Sequence, residues 1–407
     1  MSIVAMSQLN HNENELENNQ PQENGEFINE DEIEQVEDIN DDGMDISDNE
    51  QEGDQNDQME GEQTVFEDDS VQGFFNHKEP VFDLAIHPKY QNVVGSGGGD
   101  DKAYLWNMTN GEVVHEFAKH KDSVISIGFN HDGKYFASGG MDGIIKVYEV
   151  ESGNHVVDLE GPEEITWIQW HPRGNVIICG SVESTVWMFK VPSGECMNVF
   201  AGHTAPVSCG TFTHDGKKIV TGSEDGSMIV WDPVTAQPLV KLTSDDSRFH
   251  QEAVTSLAIS FDNRVITTGS ADGTSRVVLL ANGNILASLE GHSDSIETIN
   301  YCQAMNLVAT GSVDGRVNLW DLTNFKLRST LSHEDNPITK MIWIPNSHFL
   351  LTGCTDGVVR QWDARTGQQA KSWKGHEDAI LSLACTNDGT TVISGSDDGN
   401  CLVFLTQ

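Results

Sequence analysis

Residues 217–232 read KKIVTGSEDGSMIVWD: two short runs rich in branched apolar residues, separated by a Ser-Glu-Asp-Gly turn and closed by Trp-Asp. Runs this short cannot build a helical stripe, and the Gly-containing turn between them reads as a β-hairpin. Working outward from Trp231, a large apolar residue recurs at Trp106, Tyr148, Phe189, Trp231, Val278, Trp320, Trp362 and Phe404, with steps of 42, 41, 42, 47, 42, 42 and 42 residues. A His precedes this position by 28 or 29 residues in seven of eight units, at His77, His120, His203, His250, His292, His333 and His376, whereas the third unit has Pro162. Six residues before it lies an acid, Asp100, Asp142, Glu183, Asp225, Asp272, Asp314, Asp356 or Asp398, and all but Glu183 are followed by Gly or Asp. Such a period marks a supersecondary unit that cannot bury its apolar face alone and stacks on copies of itself.

This pattern resembles the WD-repeat family, whose units carry Gly-His near the start and Trp-Asp near the end. The resemblance implies an all-β, eight-bladed WD-repeat β-propeller over residues 64–407, with one four-stranded blade per unit around a central channel. It also implies a hydrogen-bonded set in each blade, made of the His, the turn acid, a Ser or Thr of the second strand and the Trp. The matching sets are His203, Thr221, Asp225 and Trp231; His292, Thr310, Asp314 and Trp320; and His333, Thr352, Asp356 and Trp362. An orphaned buried polar group costs about 1–3 kcal/mol, so residues paired in this way are structural. Unit three (Pro162, Glu183, Phe189) and unit five (Val278) break the set and are expected to be the less rigid blades. The last unit stops after its third strand, CLVFLT at 401–406, so 71–76 is expected to add the fourth strand and cover an edge that would otherwise recruit other chains.

Charge is unevenly distributed. Positions 1–70 hold 24 of the 64 acidic residues and no Lys or Arg, which leaves 40 acids against 23 bases over 71–407. Residues 1–63, dominated by Asn, Gln, Glu and Asp with isolated apolar residues such as Ile28, Ile33 and Val36, cannot bury enough surface to offset ordering and are expected to form a disordered acidic tail. Both parts repel nucleic acid and anionic membrane and attract a basic partner. Seven scattered cysteines without a C-x-x-C pair suit a reducing compartment. No apolar run reaches the length of a membrane span, and the N-terminus lacks a signal-peptide pattern. These readings point to a cytoplasmic, monomeric protein with no membrane span.

No chemistry converges in the sequence. GSGGGDD at 95–101 occupies the place of the second hairpin turn of the other units and lacks the Lys-Ser or Lys-Thr of a phosphate loop. Seven of the fifteen histidines recur at the blade interval and are held apart, whereas metal ligands must meet at one point. No nucleophile, base and acid can be placed in one cleft. The reading is a non-catalytic binding platform with no cofactor and no metal.

The informative charges follow the blade His, in the loop leading into the innermost strand: Glu79, Asp122, Glu163 with Glu164, Glu252, Asp294, Glu334 with Asp335, and Glu377 with Asp378. Only HTAPV, at 203–207 of unit four, lacks an acid there. The propeller places these loops on one face, where like charges around a channel mouth focus a potential that captures a cation-rich segment. Trp167, two residues into the same strand of unit three, is a candidate aromatic contact at the mouth or a packing residue.

Several segments carry a closer resemblance: GGGDDKAYLWNMTNGE at 97–112, HKDSV at 120–124, WHPRGN at 170–175, WMFKVPSGEC at 187–196 and DGVVRQWDARTG at 356–367. Together they resemble the angio-associated migratory cell protein family and, more distantly, its fungal branch, dedicated chaperones of a large-subunit ribosomal protein of the universal L-sixteen family. That resemblance implies an acidic face gripping the basic N-terminal segment of a new ribosomal protein in ribosome biogenesis. Two alternatives stand beside it. One is a signalling or cytoskeletal scaffold in cell migration, and the other is a substrate receptor of a cullin-type ubiquitin ligase, suggested by WDAR at 362–365, for which Arg365 would be needed.

Overall fold

A computed structural model describes residues 67–406. The expected acidic tail at 1–63 lies outside the described residues. Within them the chain forms 32 strands in eight four-stranded antiparallel sheets, and no α-helix. The innermost strands are Val81–Ile86, Val124–Phe129, Ile165–Trp170, Cys209–Phe212, Val254–Ile259, Ile296–Tyr301, Ile338–Trp343 and Ile380–Cys385. Each packs on the next and the last packs on the first, so the sheets are the blades of one closed eight-bladed propeller.

Blades 1–7 are built from consecutive strands. Blade 8 combines Ile380–Cys385, Thr391–Ser396 and Cys401–Leu405 with Gln72–Phe74 as its outer strand. Gln72, Gly73 and Phe74 pair antiparallel with Val403, Leu402 and Cys401, and Val71 N–H donates to the Val403 carbonyl at 2.8 Å. Phe74 is buried and stacks on Trp106 of blade 1, ring centroids 4.9 Å apart and planes 7° apart, so the closing strand also fills the contact between the last and first blades.

The core follows from this arrangement. Eight separate apolar clusters each join two neighbouring blades; that between blades 8 and 1 contains Phe74, Val81, Leu84, Trp106, Ile393 and Val403. Second strands such as Tyr135–Gly140 and Leu307–Ser312, covered on both faces, are buried throughout, whereas the outer strand Lys326–Ser332 is largely exposed.

Hydroxyls fasten the channel wall between blades. Thr166 Oγ1 donates to the Val207 carbonyl at 2.6 Å, and Ser208, Thr255 and Thr339 donate likewise to the carbonyls of Val254, Ile296 and Ile380. Thr166, Thr255 and Thr339 sit where the innermost strand shifts register by a bulge, which turns their side chains towards the next blade.

Of the three expected sets, that of blade 6 is complete, and in blades 4 and 7 the imidazole bonds the Thr but not the turn acid. In blade 6, His292 bonds Asp314 at 3.0 Å and Thr310 at 2.8 Å, and the Trp320 indole donates to the same Thr310 hydroxyl at 2.9 Å. In blade 4, His203 and Trp231 meet Thr221 at 2.7 and 2.9 Å, but Ser227 takes the other imidazole nitrogen at 2.8 Å and leaves Asp225 3.5 Å away. Blade 5 keeps the His250–Thr268 and His250–Asp272 bonds, at 2.9 and 3.2 Å, around a buried Val278. Blade 7 departs further from the set expected of it. His333 and Trp362 both meet Thr352, at 2.8 and 3.1 Å, but Asp356 is not part of the set because Arg360 holds its carboxylate.

Candidate functional site

The rim of the channel follows from strand direction. All innermost strands run the same way, so the loops leading into them share one rim with the turns between second and third strands. Close backbone contacts join the two kinds of loop. Gly357, at a φ of +72, has the Asp378 carbonyl 3.0 Å from where a Cβ would stand, and Gly399, at +79, has the Glu79 carbonyl at 3.2 Å. A side chain at either position would push the leading loop of the next blade off the ring.

Onto this rim the structure brings Glu79, Asp122, Glu163, Glu164, Glu252, Asp294, Glu334, Asp335, Glu377 and Asp378, each one to four residues ahead of its innermost strand. Asp122 and Glu164 are partly buried and the other eight are exposed. Among the described residues, none of the acids other than Asp122 stands in an ion pair with Lys, Arg or His. Blade 4 is the gap. There Thr204 N–H donates to Asp225 at 2.8 Å and no leading-loop acid is present.

The turns add a second tier of acids. Asp142, Asp225 and Asp398 are held below the ordinary carboxylate range although burial alone would raise them, because the His120 and His376 imidazoles donate to Asp142 and Asp398, the His203 imidazole lies 3.5 Å from Asp225, and nearby N–H groups donate to all three. Asp101, Glu224 and Asp397 behave oppositely. Partial desolvation by the neighbouring loops raises all three, although Glu224 and Asp397 remain exposed; for Asp101 the charges of Asp122, Asp100 and Asp142 add to it, and for Asp397 those of Asp378 and Asp398. The sequence reading passed over these three, although each adjoins a turn acid in the chain and was visible as a doubled charge.

Trp167 is half-buried on the innermost strand of blade 3. Its indole N–H donates to the Val207 carbonyl at 2.9 Å, and its ring lies where a Cβ on Gly210 would come within 2.2 Å, so it wedges between blades 3 and 4. Below the rim the channel holds a cavity of about 660 Å³ lined by innermost strands of blades 3–7, with Glu297 and Lys340 among its polar groups. Asp83, on the blade 1 wall, is half-buried, and desolvation raises its pKa; it accepts from the Ile127 and Leu84 N–H groups at 2.9 Å each and tethers blade 1 to blade 2. The opposite rim has another balance: turns between first and second strands carry Lys89, Lys134, Arg173, Lys217, Lys218 and Arg264 against Asp132, Asp215, Asp262 and Asp388. Among the described residues no group of three or more His, Cys, Asp or Glu could hold a metal ion, and no helix is long and apolar enough to cross a membrane. GSGGGDD forms a second strand and its turn, and a Cβ on Gly98 would strike the His77 ring at 2.5 Å. Arg365 forks onto Asp363 of its own turn at 3.0 and 2.7 Å.

The profile of the WD domain, G-beta repeat, matches residues 69–107, 111–149, 153–190, 194–232 and 245–278, and that of the anaphase-promoting complex subunit 4 WD40 domain matches 299–388. The angio-associated migratory cell protein of Homo sapiens is 32% identical over 355 residues, 84% of this chain and 81% of the relative. The chain belongs to the angio-associated migratory cell protein family of WD-repeat propellers. An uncharacterized WD repeat-containing protein of Schizosaccharomyces pombe is 40% identical over 389 residues, 93% of this chain and 96% of that one. In structure, this family member is similar to Chaetomium thermophilum Sqt1 bound to the N-terminus of the ribosomal protein L10, with a TM-score of 0.79 and 31% identity over 84% of this chain and 100% of that one. Homology to a ribosome-assembly protein thus accompanies the shared propeller.

Proposed function

We propose that this propeller is a non-catalytic chaperone that captures the basic N-terminal segment of a large-subunit ribosomal protein of the L10 kind and shields it until assembly. The observation that carries the proposal is the ring of carboxylates from seven of eight leading loops on one rim, reinforced by Asp101, Glu224 and Asp397. Keeping like charges close together opposes the native state, and such an arrangement is retained where a cationic partner uses it. The Sqt1 relative bound to the L10 N-terminus supports the same direction. The sequence-based name for the client, the L-sixteen family, is a finer assignment within this proposal.

Capture works by summation. One exposed ion pair contributes about 0–1 kcal/mol, so a segment with several Lys or Arg must engage several blades at once. While bound, its cations are withheld from RNA, to which they would otherwise bind nonspecifically. Trp167, proposed from the sequence as a contact, acts in this reading by holding the wall between blades 3 and 4 in shape.

The deciding experiment is charge reversal of Glu334, Asp335, Glu377 and Asp378 to Lys, with binding of the L10 N-terminal segment measured by calorimetry. A loss of about tenfold or more is expected from four reversed charges. Unchanged affinity would remove the capture mechanism. Retained, salt-tolerant binding to a folded partner would instead favour a migration scaffold, and loss of ligase association on changing Arg365 would favour the cullin receptor.

A further inference from the structure

In four blades the rim acid is shared between the imidazole of the blade His and the backbone N–H after it: Asp100 with His77 and Lys78 N–H, Asp142 with His120 and Lys121, Asp314 with His292 and Ser293, and Asp398 with His376 and Glu377. This double contact pins the leading loop to the turn. In blade 4 Asp225 keeps the Thr204 N–H, with the His203 imidazole 3.5 Å away.

Blade 7 is wired differently. Arg360 Nη1 and Nη2 donate to the two carboxylate oxygens of Asp356 at 3.1 and 2.6 Å. His333, only 1% exposed, keeps its Thr352 bond, but among the described residues its Nδ1 has no partner. Glu334 and Asp335 both adopt left-handed backbone, at φ 55 and 70, in a loop that Asp356 no longer pins. A basic side chain at this strand position does not by itself produce the arrangement. Arg276, the counterpart in blade 5, turns to the Arg248 carbonyl and to Ser288 Oγ, both at 2.7 Å. Of the two, only Arg360 lies on the rim acid: its guanidinium fork engages both oxygens, Val358 N–H adds a further bond to one of them, and His333 bonds neither.

We propose that Arg360 is an internal cation seated on the acidic rim, which withholds Asp356 from His333 and sets how strongly blade 7 attracts a cationic segment. The second half rests on the capture function proposed above; the first does not. With Arg360 in place the local set of Glu334, Asp335 and Asp356 carries two net negative charges in place of three, so the client's strongest hold is displaced to neighbouring blades. Arg360 thereby acts as a positioning residue for the client, without needing to touch it.

The test uses the full chain with Arg360→Gln, and Arg264→Gln on the opposite rim as a control of equal charge change. Two readouts are taken: the protonation midpoint of the His333 imidazole by NMR, and affinity for a synthetic peptide of alternating Arg and Ser by calorimetry at about 0.1 M salt. The groups facing that imidazole are Thr352, Asp356, Arg360 and Trp362. In Arg360→Gln, Asp356 turns to His333 and the midpoint rises by about one pH unit or more, while the peptide binds about threefold tighter; Arg264→Gln moves neither. An unchanged His333 midpoint, or equal affinities in the two variants, overturns the proposal. If neither wild type nor variants bind the peptide, the capture function falls, and the His333 titration still decides whether Arg360 withholds Asp356. Should Arg360→Gln not fold, Arg360→Lys keeps the charge but loses the fork. It is expected to raise the His333 midpoint without tightening binding, and an unmoved midpoint there overturns the proposal equally.

Discussion

Thr310 shows how much can rest on one hydroxyl: its oxygen meets both His292 Nε2 and the Trp320 indole N–H, and both of those rings lie in the protein interior. Thr310→Val keeps the shape and strands both partners, so a loss of about 2–5 kcal/mol is expected in denaturant unfolding. The Asp397 carboxylate on the rim has the opposite effect. The Asp397 pKa is raised in the folded state by partial desolvation and by Asp378 and Asp398, so its ionised form opposes folding at neutral pH, and the penalty disappears as pH falls through the raised pKa towards the unfolded value. Asp397→Asn is therefore expected to raise the melting temperature at pH 7 but not near pH 3, while weakening capture of a basic segment. For His333, burial and then Arg360 lower the pKa to about 4. The unfolded chain takes up this proton first, so the stability from the neutral imidazole is complete at pH 7 and is lost as pH falls from about 6.5 towards 4. His333→Gln should flatten the stability profile over that window.

At the scale of elements, the short strand Gln72–Phe74 has influence beyond its length. It completes blade 8 and places Phe74 against Trp106, so its removal opens a strand edge and an inter-blade layer together. A chain lacking residues 1–60 is expected to melt as the full chain does, whereas one lacking residues 1–78 should melt at lower temperature or aggregate. Equal melting of the two would refute the closure role. Blade 3 lacks the His, with Pro162 in its place, and among the described residues Glu183 accepts from the leading loop through the Glu163 N–H alone, at 3.3 Å. Its amides should exchange faster than those of blade 6 in hydrogen-exchange measurements, since fewer bonds must break for it to open.

Across the whole molecule, charge is sorted by rim. The acids of the leading loops and second turns outnumber the leading-loop bases Lys78, Lys119, Lys121, Arg248 and Lys374 on one side of the ring, while on the other the turns between first and second strands carry six bases against four acids and those between third and fourth strands add Glu112, Glu151, Asp232 and Arg365. Such sorting gives a direction to long-range attraction and leaves capture exposed to screening. Affinity for the L10 N-terminal segment should fall steeply between about 0.1 M and 1 M salt, as the Debye length shrinks from about 10 to 3 Å. A salt-independent affinity would mean that apolar anchors, not the rim, do the binding.

Much of this architecture was legible in the chain itself. The period near 42 residues, the His, the turn acid and the closing aromatic determined the number of blades, the place of each hairpin and the need for a donated outer strand, because each unit repeats one local pattern and cannot bury its apolar face alone. The run of acids after each His was readable for the same reason, since position within a unit determines position on the ring. What only tertiary structure decided concerns side-chain choices between residues that the period treats alike. Arg360 and Arg276 occupy equivalent strand positions, yet one seats on Asp356 and the other reaches a carbonyl; Trp167 fills the space above Gly210 where the channel mouth stood open to it. Those outcomes depend on which partners a neighbouring blade brings within hydrogen-bonding distance, and no repeat pattern along one chain encodes the competition between them.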